Sequence, residues 1–330
     1  MKIIQWNDQY IGDVVKLWNQ FCEEDRVYKP FDEDEFQNTF SKNPHFSQKG
    51  TFIAIEDQEV IGFANGVYKK DFLSSETHEN TPGYLTFLLV HRDYRRQGIG
   101  TKLLKKVETF LKENGKKEIK VVFFNPIQLE WFVSKKEGHD HPNAPGVLMD
   151  SQAYPFLISK GYIHKTKENS YYLPLKRFKL PEKVSDTVKL LTKKEIYIEY
   201  YHPKKHHGFN ELFNALHNEL WRKEIITEIN QKEPKSILIA NYHGKICGFT
   251  GPLSVQKSGR GYFAGIGVHP EYSGMGIGTA LFFKLCEELK LKGASFMSLF
   301  TGENNPARKM YEAAGFSIVK SWATLIKELS

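Results

Sequence analysis

The feature that most constrains the fold is a twelve-residue string that occurs twice, 178 residues apart. VHRDYRRQGIGT, from Val90 to Thr101, returns as VHPEYSGMGIGT from Val268 to Thr279, with seven positions identical. Each copy follows an apolar run typical of a strand and opens an amphipathic run typical of a helix. Two strand–turn–helix units with one pattern predict two copies of one domain.

The two glycine-rich turns predict an anion site in each half of the chain. A tight turn between a strand and a helix leaves backbone N–H groups unpaired at the positive end of the helix dipole. The glycine pairs Gly98/Gly100 and Gly276/Gly278 let the backbone turn sharply and let a phosphate approach it closely. We therefore expect a ligand that carries phosphate groups.

The length and the proline positions divide the chain into two domains. The 330 residues suit two domains of roughly 150 residues each better than one. Pro174 and Pro181 mark the stretch between the halves, so we predict domains at residues 1–177 and 185–330, joined by a linker at 178–184. Hydrophobic residues make up 40% of the chain, which is enough for two packed cores.

The local patterns of the two halves follow a similar order. For the first half we predict helices at 10–22, 32–41, 101–112 and 153–160, and strands at 2–6, 51–56, 60–68, 84–90, 118–124 and 171–175. For the second half we predict helices at 279–290 and 306–314, and strands at 236–241, 245–248, 262–268 and 295–301. Gly161 and Gly315 are expected to end the last helix of each half.

The first half carries an insertion. The turns lie 178 residues apart, but Gly161 and Gly315 lie 154 apart, so the first half has about 24 extra residues, which we place at 125–151. His139, Asp140 and His141 in this segment suggest either a metal or substrate contact or an ordinary polar loop, because their spacing matches no zinc motif.

Charge and cysteine content narrow the class of protein. The formal charge of +7 suits an anionic ligand, but the basic residues are scattered, so nucleic-acid binding is not expected. Three cysteines without a Cys-x-x-Cys pair fit a reducing cytoplasm and predict no structural metal site. No apolar run approaches the ~20 residues that span a membrane, so we expect a cytoplasmic protein.

The motifs together resemble the Gcn5-related N-acetyltransferase (GNAT) superfamily. Arg95-x-x-Gly98-x-Gly100 matches the signature turn of that family, and the segment from Asn304 to Phe316 is similar to the stretch that follows its fifth strand. The second turn departs from the pattern at Ser273, where the family usually has Arg or Gln. The resemblance implies an α/β fold of the α+β type, with two tandem GNAT domains that each have a central, mostly antiparallel sheet and flanking helices.

The resemblance also implies acetyl-CoA as the cofactor of the two turns. The backbone at the end of each preceding strand would bind the pantetheine arm, because this strand is bulged in the family and splays from its neighbour. These strand residues are Leu88, Leu89, Val90, Ile266, Gly267 and Val268. The pyrophosphate would bind at Arg95, Arg96, Gln97, Gly98, Ile99, Gly100 and Thr101, and at Ser273, Gly274, Met275, Gly276, Ile277, Gly278 and Thr279, with Asn304 nearby.

The family's candidate acid for the departing thiolate is a tyrosine, which points to the second domain. Tyr311 occupies that place, whereas counting back from Gly161 puts Leu157 there in the first half. A phenol of pKa ~10 can protonate a thiolate whose thiol has a pKa of ~8.5. Tyr154 lies about a helical turn away from the required place, and either tyrosine can equally be a packing residue.

The interpretation is therefore an acetyl-CoA-dependent N-acetyltransferase that acts on a small-molecule or peptide primary amine, with the second domain favoured as catalytic. A catalytic first domain and a non-catalytic acyl-CoA-binding module are the alternatives. Neither Thr86 nor the strand at 261–265 offers a general base, and the oligomeric state stays open.

Two further clusters are candidates for the acceptor side. The histidines at 202, 206 and 207 are interpreted either as acceptor-site residues or as solvated surface. The carboxylates at 23–25 and 32–34 are interpreted either as an attraction for a cationic amine or as charge at a helix N-terminus.

Overall fold

The chain folds into two compact units that are not consecutive halves. The computed structural model describes residues 1–134 and 138–329. The first unit comprises residues 1–170, 300–304 and the described residues from Val319 onward, and the second comprises 171–299 and 305–318. The first unit therefore contains the C-terminal end of the described chain, which the split at 178–184 did not anticipate.

The first part of the chain alternates strands and helices much as the sequence predicts. Its elements are β1 (Lys2–Gln5), α1 (Ile11–Asp25), α2 (Glu33–Thr39), β2 (Thr51–Glu56), β3 (Glu59–Tyr68), β4 (Gly83–Val90), α3 (Ile99–Glu113), β5 (Glu118–Val121), β6 (Trp131–Phe132), β7 (Asp140–His141), β8 (Val147–Leu148), α4 (Ala153–Ser159) and β9 (Ile163–Pro174).

The second part of the chain opens with elements that the sequence patterns did not reveal. Its elements are α5 (Glu182–Lys193), β10 (Ile196–Tyr200), α6 (Phe209–Leu216), α7 (Glu219–Ile229), β11 (Ser236–Tyr242), β12 (Lys245–Val255), β13 (Arg260–Tyr262), β14 (Gly265–Val268), α8 (Ile277–Leu291), β15 (Phe296–Gly302), α9 (Arg308–Ala313) and β16 (Ser317–Glu328).

The first unit is built on a mostly antiparallel sheet. Its strands run in the order β1-β2-β3-β4-β5-β16, and only β4 and β5 pair in parallel. Trp18 of α1, Phe36 of α2 and Phe40, which caps the end of α2, are buried in one core cluster, and α3 buries Leu103 and Val107 in another. Burial of each such side chain contributes about 1.5–3 kcal/mol to stability.

The second unit repeats this plan. Strands β10, β11 and β12 form an antiparallel meander, which continues through β13, and β13 pairs in parallel with β15. The strand predicted at 262–268 is two strands, because β13 ends at Tyr262 and β14 begins at Gly265. Helix α8 buries eight residues, including Phe282 and Phe283, in the core.

The predicted linker is part of the second unit. Phe178 is buried in the core of that unit, and helix α5 begins at Glu182 directly after Pro181. Proline lacks the N–H that the first residues of a helix leave unpaired, so Pro181 marks a helix start here. Helix α5 turns Val184 and Leu191 into the same core.

The insertion at 125–151 is folded over its described residues, while 135–137 lie outside them. Strands β6 and β7 pair with each other, and β8 pairs with β16 of the same unit. The Trp131 ring is fully buried, and its Nε1 donates to the carbonyl of Asn143 at 2.8 Å. The interpretation as an ordinary polar loop was wrong, since His139 and His141 are also buried.

Candidate functional site

The two glycine turns have the same main-chain geometry. Gly98 and Gly276 precede their helices at φ of +81° and +85°, a left-handed conformation that glycine adopts without strain. Arg96 and Gly274, two residues earlier, have φ of +64° and +76°. The first helical N–H groups after each turn have no acceptor within the helix. Each turn therefore presents the unpaired amides that an anion needs.

The surroundings of the two turns differ. A Cβ atom placed at Gly98 would meet nothing within 4 Å. A Cβ atom at Gly276 would lie 2.8 Å from Cγ2 of Thr187, which belongs to helix α5. The second turn is thus covered by α5 at Gly276, whereas a Cβ atom at Gly274 of the same turn, like one at Gly98, would meet nothing within 4 Å.

Strand β4 has an open edge beside the first turn. It pairs with β3 along its length, but with β5 only at Gly83 and Tyr84. From Leu85 to Val90 its other edge has no paired strand among the described residues. The register with β3 shifts after Asn65 and leaves Thr86 as an extra residue, which is a bulge. Leu88, Leu89 and Val90 therefore lie on a strand edge that can hydrogen-bond a ligand.

A cavity of about 960 Å³ runs from this strand edge to the first turn. Its walls come from β4, β8, helix α4 and the C-terminal end of α1. The predicted cofactor-binding residues that line it are Leu88, Leu89, Val90, Arg95, Arg96, Gly98, Gly100 and Thr101. Gln97 is exposed and donates to the carbonyl of Asp93, and Ile99 is buried in the core, so these two side chains are not part of the wall.

A second cavity of about 530 Å³ adjoins the turn and is strongly basic. Arg92, Arg95 and Arg96 line it together with Glu24 and Gln152. The Nε atom of Arg95 donates to the carbonyl of Val90 at 3.0 Å, and its Nη2 lies 3.6 Å from a carboxylate oxygen of Glu24. Three guanidinium groups against one carboxylate leave a positive site, which suits a polyanion.

Helix α4 brings no tyrosine to the first cavity. Leu157 is buried at its wall, and it has no proton to donate. The Tyr154 hydroxyl lies 3.0 Å from Nδ1 of His164, and the ring belongs to the core cluster of the first unit. The Thr86 hydroxyl at the bulge donates to Oδ1 of Asn125 at 3.2 Å.

Tyr311 in the second unit is a buried core residue. It is 8% exposed, and its ring centroid lies 4.9 Å from that of Phe282 and 5.9 Å from that of Tyr171. Burial raises the pKa of Tyr311 to about 12, with a smaller contribution from Tyr171. A phenol with so high a pKa transfers a proton to a thiolate less readily than an ordinary tyrosine does.

The strand beside the second turn is closely packed on one face. Trp221 lies against Gly265, where an added Cβ would be 2.3 Å from the indole, and Leu216 lies against Gly267. Asn304 is exposed and belongs to the first compact unit, whereas the second turn belongs to the second. The structure therefore does not bring Asn304 and Ser273 together within one unit.

One of the three histidine candidates has a structural role, and the other two are exposed. His206 is buried, and its Nδ1 accepts a hydrogen bond from the backbone of His202 at 2.9 Å. His202 and His207 are exposed. The described residues contain no group of three or more His, Cys, Asp or Glu that could hold a metal ion. Among the same residues, no helix is long and apolar enough to cross a membrane.

The two acidic clusters occupy opposite ends of helices. Asp32 caps the N-terminus of α2, where its side chain accepts from the backbone of Glu35, as the interpretation of helix N-terminal charge expects. The carboxylates of residues 23–25 instead end α1. For this cluster the N-terminal explanation was wrong, because carboxylates are disfavoured at the negative end of a helix dipole.

Several wall residues escaped the sequence patterns. They are Phe21, Tyr28, Val147, Leu148, Ser151 and Gln152. The sequence did locate the insertion at 125–151 that contains β8, because the glycine turns are farther apart in the chain than Gly161 and Gly315 are. No local pattern shows that a two-residue strand will face β4.

Comparison with known proteins agrees with this architecture. A model of the acetyltransferase (GNAT) family matches the chain twice, over residues 13–129 and 198–316. These two stretches make up more than half of the chain. The chain is also similar to the uncharacterized N-acetyltransferase MJ1207 of Methanocaldococcus jannaschii, with 26% identity over 154 residues, which cover 43% of this chain and 67% of that protein.

Three solved structures share the fold along nearly the whole chain, each at 16% identity. A GCN5-related glucosamine N-acetyltransferase region in a fungal multi-domain GH3 β-N-acetylglucosaminidase gives a TM-score of 0.70, and the match covers 99% of this chain but 38% of that one. A GCN5-related N-acetyltransferase from Sphaerobacter thermophilus gives 0.63, with 99% and 95% covered. A tandem GNAT protein from the clavulanic acid biosynthesis pathway gives 0.60, with 100% and 98% covered. The predicted tandem fold is confirmed.

Proposed function

Because the chain belongs to the acetyltransferase (GNAT) family, we propose that it is an acetyl-CoA-dependent N-acetyltransferase and that its first domain carries the reaction. The observation that supports this choice is the cavity of about 960 Å³ between the open edge of β4 and helix α4, which ends at an uncovered glycine turn. The choice is the alternative that the sequence left open, and not the second domain that it favoured.

The residues of the first cavity fit a long ligand with a phosphate-rich end. The amides from Gly98 to Thr101 and the guanidinium group of Arg95 would bind the pyrophosphate. The edge of β4 that no strand covers would bind the amide groups of the pantetheine arm as an added strand does, between the Leu85 and Val90 carbonyls, which already accept from Asn125 and Arg95. Gly100 lies near Phe156 of α4, where an added Cβ would be 3.4 Å from the ring, so the passage is narrow.

The cofactor supplies an acetyl thioester, and the chain must present a neutral amine to it. Placing the two reactants side by side removes much of the entropic cost of a bimolecular reaction. Backbone N–H groups on the open edge of β4 are the available donors for the negative charge that develops on the carbonyl oxygen. The departing thiolate can take the proton that the amine nitrogen loses, so a tyrosine at the place of Leu157 is not required.

A second candidate is acetyl transfer in the second domain, with Tyr311 as the general acid. The cofactor would then bind at Ser273 to Thr279 and at Ile266 to Val268. The matching main-chain geometry of the second turn favours it. The partial cover by Thr187 and the burial of Tyr311 weigh against it. A third candidate, acyl-CoA binding without turnover, would use either turn.

Thiol release tests the proposal directly. Purified protein is mixed with acetyl-CoA and a panel of primary amines, and the free thiol and the acetylated amine are measured together. We expect both products in equal amounts with at least one amine. Binding of acetyl-CoA without release, across amines that differ in size and charge, would leave the binding module as the function.

A further inference from the structure

One carboxylate in the first cavity has no partner among the described residues. Asp25, the last residue of α1, lines the cavity and makes no hydrogen bond or ion pair with any described residue. Its neighbour Glu24 is engaged by Arg92 and Arg95. The Asp25 side chain is therefore available to a ligand, whereas the Glu24 side chain pairs with two arginines near the first turn.

The position of Asp25 favours the protonated form of its carboxyl group. It lies at the negative end of the α1 dipole, directly after Glu23 and Glu24. Asp25 is exposed, yet the desolvation of its carboxyl beside the cavity wall is the largest cause that raises its pKa, and Asp150 and Glu24 raise it further, against the lowering effect of Lys320 and Arg95. An unpaired carboxylate with a raised pKa, on the wall of a cavity that also has an aromatic side, is suited to contact a ligand.

Three aromatic rings stand beside this carboxylate. Phe21 lies one helical turn before Asp25 on α1, and Tyr28 follows three residues later. Phe21, Tyr28 and Phe87 line the cavity, with ring centroids 5.4 to 6.2 Å apart. Asp25 is close enough to Tyr28 to raise the pKa of its phenol, although burial is the larger cause. A single carboxylate against an aromatic wall matches an ammonium group on an apolar body.

We propose that Asp25 binds the acceptor's ammonium group and takes its proton before attack, and that the acceptor is a primary amine on an apolar, preferably aromatic, body. This inference rests on the proposed function of the first cavity.

The step balances in atoms and charge. The ammonium gives one proton to the Asp25 carboxylate and becomes a neutral amine. The amine nitrogen forms a bond to the thioester carbonyl carbon, and the C–S bond then breaks. The thiolate takes the second proton from the nitrogen, which leaves the amide and free thiol, and Asp25 returns its proton to water.

The raised pKa of Asp25 makes this proton transfer less unfavourable. An ordinary aspartate and an alkylammonium differ by roughly 6 pKa units, at about 1.4 kcal/mol each. Any rise in the carboxyl's pKa narrows that gap. The other charged or titratable groups that face Asp25 are Glu24, Arg95, Asp150 and Lys320, with Cys22 and Tyr28 beside it.

The test compares Asp25→Asn with Glu23→Gln. Both changes remove one negative charge from an exposed residue at the end of α1, but only Asp25 lines the cavity. With phenethylamine as acceptor, we expect Asp25→Asn to lower kcat/KM by about 100-fold, as loss of a general base does. It should also abolish the acid limb of the pH profile, which a structural role would not change. Glu23→Gln should keep kcat/KM within about twofold.

Acceptor preference and cofactor binding complete the test. Wild-type kcat/KM should be at least about tenfold higher for phenethylamine than for ethanolamine, since even one extra methylene in an apolar pocket changes kcat/KM by roughly 10-fold or more. Both variants should bind acetyl-CoA with wild-type heat. Two results would overturn this inference but leave the proposed function intact. One is normal turnover with an unchanged acid limb in Asp25→Asn, and the other is a preference of the wild type for ethanolamine. Absence of acetyl-CoA binding by the wild type would overturn the proposed function and this inference with it.

Discussion

The first and second glycine turns share a backbone and differ in their neighbours. Gly98 and Gly276 have φ values within a few degrees of each other, and each opens a fifteen-residue helix. Around the first turn lie three arginines and a deep cavity. Around the second lie Thr187 of α5 and a serine at the place of Arg95. The same signature turn can therefore lie in two different surroundings, and this difference is the basis on which we propose the first turn as the cofactor site.

The largest expected effect comes from placing a glutamate at the same position of each turn and comparing the two variants. Gly98→Glu puts a side chain on a left-handed residue and a carboxylate among the amides that would bind phosphate. We expect acetyl-CoA affinity and kcat/KM to fall by about 100-fold or more, which is near 2.7 kcal/mol. Gly276→Glu puts its Cβ against Thr187 and should lower the melting temperature, but the folded variant should keep both values close to wild type. Loss of turnover in Gly276→Glu with retention in Gly98→Glu would reverse the assignment of the domains.

A smaller effect tests the charge beside each turn. Arg95→Ala removes a guanidinium group that is held at the mouth of the first cavity by Val90 and Glu24. A lost charge-assisted hydrogen bond of roughly 1.5 kcal/mol predicts about a tenfold rise in the KM for acetyl-CoA. Ser273→Ala should change KM by less than about twofold. Steady-state kinetics at two salt concentrations check this, and equal effects of the two changes would argue against a first-domain site.

The smallest effect concerns Tyr311. Since Tyr311 packs among Phe282, Phe316 and Tyr171, Tyr311→Phe keeps the ring and removes only the hydroxyl. We expect kcat to stay within about twofold of wild type. A general acid would contribute 10²- to 10⁴-fold, so a loss of that size with an unchanged melting temperature would restore the second domain as the catalytic one.

The sequence predicts the local part of this architecture. Some features depend on residues that lie close together in the chain, and their sequence patterns therefore predict them. They are the repeated string, the hairpin of β2 and β3, and the helix ends at Gly161 and Gly315. The resemblance to the GNAT family then implied the tandem fold, which the comparisons confirm, and acetyl-CoA as the proposed cofactor.

Long-range packing decides what the sequence could not show. Nothing in the residues of α5 indicates that Thr187 will lie over Gly276, and nothing near Tyr311 indicates that the aromatic core will enclose it. Asp25 looks like helix surface charge until α1 is seen to end at the cavity. Strand β16 pairs with β5 of the first unit although the two are about 200 residues apart, which no local signal indicates.

The most direct measurement is a crystal structure of the wild-type protein soaked with acetyl-CoA. The account predicts electron density for the pyrophosphate at the amides of Gly98 to Thr101, with the pantetheine arm along β4 and the acetyl group toward Asp25. Density at Gly276 to Thr279 with an empty first cavity would contradict it.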